Sequence, residues 1–355
     1  MNALEHWNAS RAAAWVRRPG PQDNKYRRGV LGARTGSAHY PGAAVLSVTA
    51  AWRTGVGLLR YVPPLDDVGA PLGLPAPAAA VLAAQPETVF GEPAAGGRAC
   101  DAWVVGSGTD PATRSTAERA RLLEILRGEA PVVIDAGALG IAVERAAGAR
   151  GLGAGSGSGR TGSESQPVAA SSREAAAPGR EVSTGSGLAP AILTPHDGEF
   201  ARLWEAAGGV GTGTRGPLPA DDLAERADRA AALAARLGAT VLLKGSVSVC
   251  ATPGGQRIAC GPATPWLASA GTGDVLAGIL GALVAAHAAR VREDPETLGQ
   301  IGATAALLHD AAARIASGDA HATGSGRPIT ALDVAEALPA ALTDPSDRPV
   351  PPRAC

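Results

Sequence analysis

Aromatic residues are scarce: Phe, Tyr and Trp make up 3% of the 355 residues, which excludes a base-stacking surface for nucleic acid and leaves aliphatic side chains to fill the core. The four cysteines, Cys100, Cys250, Cys260 and Cys355, show neither C-x-x-C spacing nor accompanying histidines. This argues against structural zinc and against a disulfide framework, and fits a reducing cytoplasm. Charge of one sign is also missing. Lys plus Arg total 32 against 33 Asp plus Glu, a net charge of -1, so there is no global basic field for nucleic acid or an anionic membrane, and any phosphate site must be local. The longest apolar stretch, Val275 to Val284, is too short to span a bilayer. The N-terminus lacks the apolar region of a signal peptide, so neither export nor anchoring is expected. Asn8-Ala9-Ser10 is then a chance match to a glycosylation acceptor.

Apolar residues make up 45% of the chain, enough for a sizeable core in one large domain or two smaller ones. Residues 146–187 are dominated by Gly, Ser and Ala without an aromatic; such a segment buries too little to offset its ordering entropy and is expected to be a disordered insertion. It contains Gly157-Ser158-Gly159-Arg160-Thr161-Gly162, a match to the dinucleotide fingerprint with no strand before it and no helix after it, which is rejected as a cofactor site. Residues 343–355, rich in Pro and charge, are expected to form a disordered tail.

Elsewhere strand and helix patterns alternate. Ala102–Val105, Pro131–Ile134, Ala191–Leu193 and Thr240–Leu243 are short apolar runs ending in polar or glycine residues, as buried parallel strands do. Asp222 to Leu237 predicts a helix with Leu223, Ala227, Ala230, Ala234 and Leu237 on one face and Gly238 as its stop. Gln300 to Ser317 repeats the pattern before Gly318, and Thr330-Ala331-Leu332-Asp333 reads as the capping box of a last helix. The expected fold is α/β, a three-layer α/β/α domain with a mostly parallel central sheet, function gathering at the carboxyl ends of its strands.

The strongest local signal is Ala268-Ser269-Ala270-Gly271-Thr272-Gly273-Asp274-Val275-Leu276-Ala277-Gly278, a small-residue loop running into an apolar helix. Glycines allow close backbone approach, and the free N–H groups and dipole of a first helical turn favour phosphate oxygens. A carboxylate at that turn can take a proton from a hydroxyl while the N–H groups hold the phosphoryl group under attack. Asp274 is the candidate base. Taken alone, the loop equally allows Asp274 to be only a helix-start residue that suits the dipole.

This loop resembles the signature of the ribokinase-like ADP-dependent NAD(P)H-hydrate dehydratases, and other stretches agree in order. Gly36-Ser37-Ala38-His39-Tyr40-Pro41-Gly42-Ala43-Ala44 and Arg53-Thr54-Gly55-Val56-Gly57 resemble the family's opening glycine loop and first helix. Gly106-Ser107-Gly108 is similar to its G-P-G loop, Asp135-Ala136-Gly137-Ala138-Leu139 to D-A-D-A-L, Leu193 to Phe200 to L-T-P-H-x-x-E-F, and Lys244-Gly245-Ser246-Val247-Ser248 to K-G-x-x-T. The resemblance covers residues 25–342 apart from the insertion, which leaves residues 1–24 as an N-terminal segment.

The resemblance implies a lyase that repairs hydrated nicotinamide cofactors, (S)-NADHX and (S)-NADPHX, by phosphorylating the hydrate hydroxyl and eliminating phosphate. ADP is the implied co-substrate, giving AMP, with Mg2+ as cofactor. Asp274 would be the base on the hydroxyl, and Ala270, Gly271, Thr272 and Gly273 the anion hole. Lys244, Gly245, Ser246, Val247, Ser248 and Gly273 would line the nucleotide pocket, and Ala43, Gly108, His196 and Asp274 would contact the hydrate. A homo-oligomer, a tetramer among the orders it could take, is expected. About two dozen residues precede the matched region, too few for the epimerase domain that many relatives carry; a separate epimerase and action on one epimer are therefore expected.

Some residues have competing readings. His196 and Glu199 could contribute to a zinc site, but no third ligand is evident. Related sugar kinases use a similar element to position nucleotide-bound magnesium, so Glu199 is the candidate for that indirect role, against a plain helix-start Glu. Lys244 is either a pocket lysine or a simple strand-end lysine. His309 lies within an apolar stripe and reads as packed, while His39 and Tyr40 read as substrate wall without chemistry. Gly137 and Ser107 depart from the family's Asp and Pro; a lost polar contact and a looser loop are the expected consequences. A ribokinase-like kinase of a vitamin-precursor alcohol and a silent nucleotide-binding regulator are the alternatives. The L-T-P-H and G-A-A segments favour the dehydratase over the first, and Asp274 with Lys244 speaks against the second.

Overall fold

In a computed structural model, residues 3–66, 73–94, 97–154, 188–208, 218, 222–319 and 326–343 are described. Ten strands form one sheet: β1 (Leu4–His6), β2 (Val30–Arg34), β3 (Leu58–Tyr61), β4 (Val89–Phe90), β5 (Ala102–Val105), β6 (Val132–Ile134), β7 (Ala191–Leu193), β8 (Thr240–Leu243), β9 (Ser248–Ala251) and β10 (Arg257–Cys260). Their order is β1-β10-β9-β8-β7-β6-β5-β2-β3-β4. The run from β8 to β4 is parallel throughout, and β9 is antiparallel to both of its neighbours.

The central strands are buried on both faces and alternate between them. Val133, Ile192 and Leu242 enter a core shared with α2 (Pro41–Thr54), α8 (Thr272–Ala286), α10 (Thr297–Ser317) and α11 (Ala331–Ala341). Val132, Ile134, Leu193, Val241 and Leu243 enter another, with α4 (Thr116–Arg127), α5 (Leu139–Ala154), α6 (Asp197–Ala206) and α7 (Leu223–Leu237). Among the described residues the other α-helices are α1 (Ala9–Ala13), α3 (Pro77–Ala84) and α9 (Ala288–Glu293). This is the three-layer arrangement expected from the alternating pattern.

Local chemistry sets the helix ends as the sequence suggests. Asp222 caps α7 through the Glu225 N–H, and left-handed Gly238 and Gly318 close α7 and α10. Thr330 and Asp333 form the capping box of α11. Three boundaries differ from expectation, the first being that α10 begins at Thr297, three residues before Gln300. Helix α5 continues through Ala154, with Ala146 buried, so the Gly/Ser/Ala segment begins inside a helix whose early turns are anchored by Leu139, Ile141 and Ala142; residues 155–187 and most of the expected tail lie outside the described residues. Residues before 25 are also part of the domain: β1 pairs with β10, Trp7 Nε1 donates to Thr304 Oγ1 at 3.1 Å, and Trp15 packs edge-on against His287 at 5.2 Å.

Candidate functional site

The carboxyl ends of β5, β6, β7 and β8 converge on the amino end of α8. Gly271 precedes α8 with φ of 87°, a left-handed conformation that glycine adopts without strain. A Cβ there would lie 2.7 Å from Leu46 Cδ1. The Thr272 hydroxyl braces the loop through the carbonyls of Leu267 and Ser269, both at 2.9 Å. The N–H groups of Gly273 and Asp274 donate to no backbone carbonyl among the described residues. Together with the helix dipole they form a positive cradle.

Asp274 is the third residue of α8. Burial, with a smaller contribution from nearby Asp135 and against the opposing charge of Lys244, raises its carboxyl from the ordinary 3.8 to about 7. Lys244, at the end of β8, turns its ammonium inward, 3.2 Å from Asp135 Oδ1 and 3.8 Å from Glu199 Oε2. Burial pulls its pKa down, but Asp135, Glu199 and Asp274 outweigh this and the net direction is up. A Cβ on Gly273 would come within 3.6 Å of the Lys244 Nζ, so the ammonium stands over the first turn of α8. Gly245 to Val247 form the more open turn from β8 into β9, whose first residue is Ser248.

Ala43 and Gly108 meet on the other side: a Cβ on Gly108 would lie 2.3 Å from the Ala43 Cβ. A cavity of about 930 Å³ opens beside them, lined by the loop from Gly36 to Tyr40, Gly106, Thr109 and Arg114 among others. Asp274 does not line it. His196 caps α6, its Nδ1 accepting from the Gly198 N–H at 3.0 Å, and Glu199 returns the bond by accepting from the His196 N–H at 2.9 Å. The imidazole stays 58% exposed. Glu199 thus completes the cap of α6 while its carboxylate also lies 3.8 Å from the Lys244 Nζ; among the described residues no group of three or more His, Cys, Asp or Glu could hold a metal ion. His309 is buried, bonds the Thr272 backbone and, chiefly through burial, has its pKa lowered to about 4; it is a packed neutral histidine.

Sequence reasoning passed over Asp135, quoting it only within a motif. It is buried, and its carboxylate accepts from Ser107 Oγ at 2.8 Å, Thr194 Oγ1 at 2.6 Å and Lys244 Nζ at 3.2 Å. The available signal was its place directly after an apolar strand, where a carboxylate faces the ligand side of a parallel sheet. The departures at 107 and 137 also take on a different meaning. Ser107 ties its loop to Asp135, whereas a looser loop was expected. A Cβ on Gly137 would lie 2.0 Å from the Thr109 carbonyl oxygen, so this chain's own loop leaves no space for an aspartate.

A mostly parallel sheet that brings a glycine-rich helix start, a carboxylate and a lysine together at its carboxyl ends defines a ribokinase-like protein. The solved structures agree in fold. A Bacillus subtilis ADP/ATP-dependent NAD(P)H-hydrate dehydratase, co-crystallised with ATP/Mg2+, superposes with a TM-score of 0.64 at 22% identity, covering 95% of this chain and 97% of that one. A ribokinase-like superfamily protein from Enterococcus faecalis gives 0.59 at 17% identity, covering 96% and 95%. The chain belongs to the NAD(P)H-hydrate dehydratase family, whose sequence profile matches residues 31–149 and 183–334. It is 37% identical over 275 residues to the bifunctional NAD(P)H-hydrate repair enzyme Nnr of Mycobacterium tuberculosis, spanning 77% of this chain and 44% of that protein. With the Corynebacterium glutamicum protein of the same description it shares 32% over 333 residues, 91% of this chain and 48% of the other. The chain thus spans about half the length of these curated relatives. No described helix is long and apolar enough to cross a membrane.

Proposed function

We propose that this chain performs the dehydratase reaction of nicotinamide cofactor repair, converting (S)-NADHX and (S)-NADPHX to NADH and NADPH with ADP as phosphoryl donor. The observation that carries the reading is Asp274: a carboxylate raised to about 7, in the first turn of a helix whose free N–H groups face the same space. A base poised near neutral pH combines a useful ionised fraction with enough basicity to take a hydroxyl proton.

In the first step Asp274 accepts the proton of the hydroxyl on the saturated nicotinamide carbon as that oxygen attacks the terminal phosphorus of ADP. The bond from phosphorus to the bridging oxygen breaks, and AMP leaves with the electron pair. The N–H groups of Gly273 and Asp274 hold the transferring phosphoryl oxygens, and Lys244 adds a fixed positive charge beside them. In the second step the ring nitrogen lone pair expels phosphate with its electron pair, and loss of a proton from the neighbouring carbon restores the ring double bond. Ala43 and Gly108 form the wall against which the ring lies, and the cavity along Gly36 to Tyr40 takes the non-reacting end of the dinucleotide. His196 stands exposed for a substrate contact. Gly245 to Ser248 line the adenine nucleotide.

Among the described residues no group of three or more His, Cys, Asp or Glu could hold Mg2+ directly. Magnesium enters this proposal only as the companion of nucleotide phosphates and water, and no step is assigned to it. The choice of ADP rests on the family resemblance; the two nucleotides place the terminal phosphorus at different distances from the adenosine, so reach governs how well each aligns with the hydroxyl, and ADP is expected to serve at least as well as ATP. The test supplies each nucleotide, freed of the other, with magnesium and the S-hydrate, and follows reduced cofactor and AMP. Restored cofactor with stoichiometric AMP is expected. Turnover with ATP alone would overturn the donor, and none with either would overturn the function.

A further inference from the structure

We propose that Asp135 is a positioning residue for this reaction: its buried carboxylate, clamped by two hydroxyls, anchors the Lys244 ammonium over the first turn of α8 beside Asp274. The proposal rests on the function given above for the same site.

Three donors from three separate elements converge on Asp135. Ser107, in the loop after β5, donates to Oδ2 at 2.8 Å; Thr194, after β7, donates to Oδ1 at 2.6 Å; Lys244, after β8, reaches the same Oδ1 at 3.2 Å. A carboxylate only 2% exposed would be costly without such partners, and hydroxyl donors on both oxygens fix its plane. The following residue, Ala136, has φ of 44°, a left-handed conformation disfavoured for a side chain with a Cβ and held by the surrounding structure. Hydroxyls and backbone together aim the carboxylate at Lys244.

The choice of lysine at this point is itself informative. Lys25 and Lys244 are the only two lysines in the chain, so the other 30 of its 32 basic residues are arginine. An ammonium is a compact point charge that can rest near Asp135 and Glu199 while leaving space above Gly273, whereas a planar guanidinium would extend into the region where a phosphoryl group must lie. The charged groups facing Lys244 are Asp135 just after β6, Glu199 from α6 and Asp274 from α8, with neutral His309 from α10 behind. Asp135 therefore has two electrostatic effects. It keeps Lys244 protonated against burial, and as a like charge it helps hold the proton on Asp274.

The scarcity of lysine gives a direct test. Reductive methylation with 13C-formaldehyde labels Lys25, Lys244 and the N-terminal amine, and each can be titrated by NMR in the folded protein. In wild type, Lys244 should titrate above the ordinary value of a lysine. In Asp135→Asn it should fall by about one pH unit or more. The acid limb of kcat/KM in the unlabelled variant should move to lower pH, with kcat reduced several-fold. Ser107→Ala, which removes one clamp, should lower the Lys244 titration by less, and Ser107→Thr should restore it. If Asp135→Asn does not fold, Ser107→Ala decides alone. Lys244 unmoved in the folded variants, or a moved Lys244 with kcat and the acid limb unchanged, overturns the proposal. A wild-type protein inactive on the hydrate would instead sink the functional reading, and the lysine titration would still decide whether Asp135 is the anchor.

Discussion

Replacing Asp274 by asparagine should separate activity from stability. In the folded protein burial holds this carboxyl at about 7 against an ordinary 3.8, whereas in the unfolded chain it ionises freely near the ordinary value. Between about pH 4 and pH 7 the unfolded state therefore gives up a proton that the folded state keeps, and stability declines as pH rises through that window. At ~1.4 kcal/mol for each pH unit separating the two, an ionised Asp274 costs the fold on the order of 4 kcal/mol once the pH exceeds about 7. That figure is an upper bound, since the side chain is not wholly out of water. Asparagine has nearly the same shape and no proton to lose. Asp274→Asn should thus resemble wild type in urea denaturation near pH 4 and resist more urea near pH 8. Its turnover should fall about a hundredfold to ten-thousandfold, the range for a lost general base. Nucleotide binding, followed by calorimetry, should persist. A variant that turns over like wild type, or that gains no stability between the two pH values, would refute the assignment of Asp274 as a buried base.

In wild type, kcat/KM should fall on the acid side of about pH 7 as Asp274 takes up its proton; a profile flat from pH 5 to 8 would contradict this. Gly137→Asp, which restores the family's residue, should destabilise by about 1–3 kcal/mol, because its Cβ would collide with the Thr109 carbonyl; an unchanged urea midpoint would show that the loop can yield. Arg34→Met should cost about 3–5 kcal/mol by leaving buried Glu118 without the guanidinium whose Nε donates to it at 2.8 Å, again read by urea denaturation. Replacing residues 155–187 by a short Gly/Ser linker should leave hydrate turnover within a few-fold, since their composition offers little to a core and loop closure changes slowly with length. The cut begins after Ala154 because α5 extends that far.

The sequence by itself determined what is local or periodic. Four central strands were legible as short apolar runs because both faces of a parallel sheet are buried, and α7, α10 and α11 because their caps and stripes are set within a few residues of one another. The glycine loop and Asp274 were legible too, since loop, helix start and carboxylate are contiguous. Tertiary structure alone decided the rest. β1 offers three residues with no pattern of their own and exists only because β10 provides an edge; α5 runs into Gly-rich sequence because packing of its first turns outweighs poor propensity. That Glu199 returns a bond to the His196 N–H while also facing Lys244 is likewise a matter of tertiary placement. The cluster of Ser107, Asp135, Thr194 and Lys244 unites residues up to 137 positions apart in sequence (107 to 244). No spacing rule encodes such a meeting. It follows from parallel strands delivering their carboxyl ends to one edge, where a buried carboxylate must find donors from whatever the fold brings beside it.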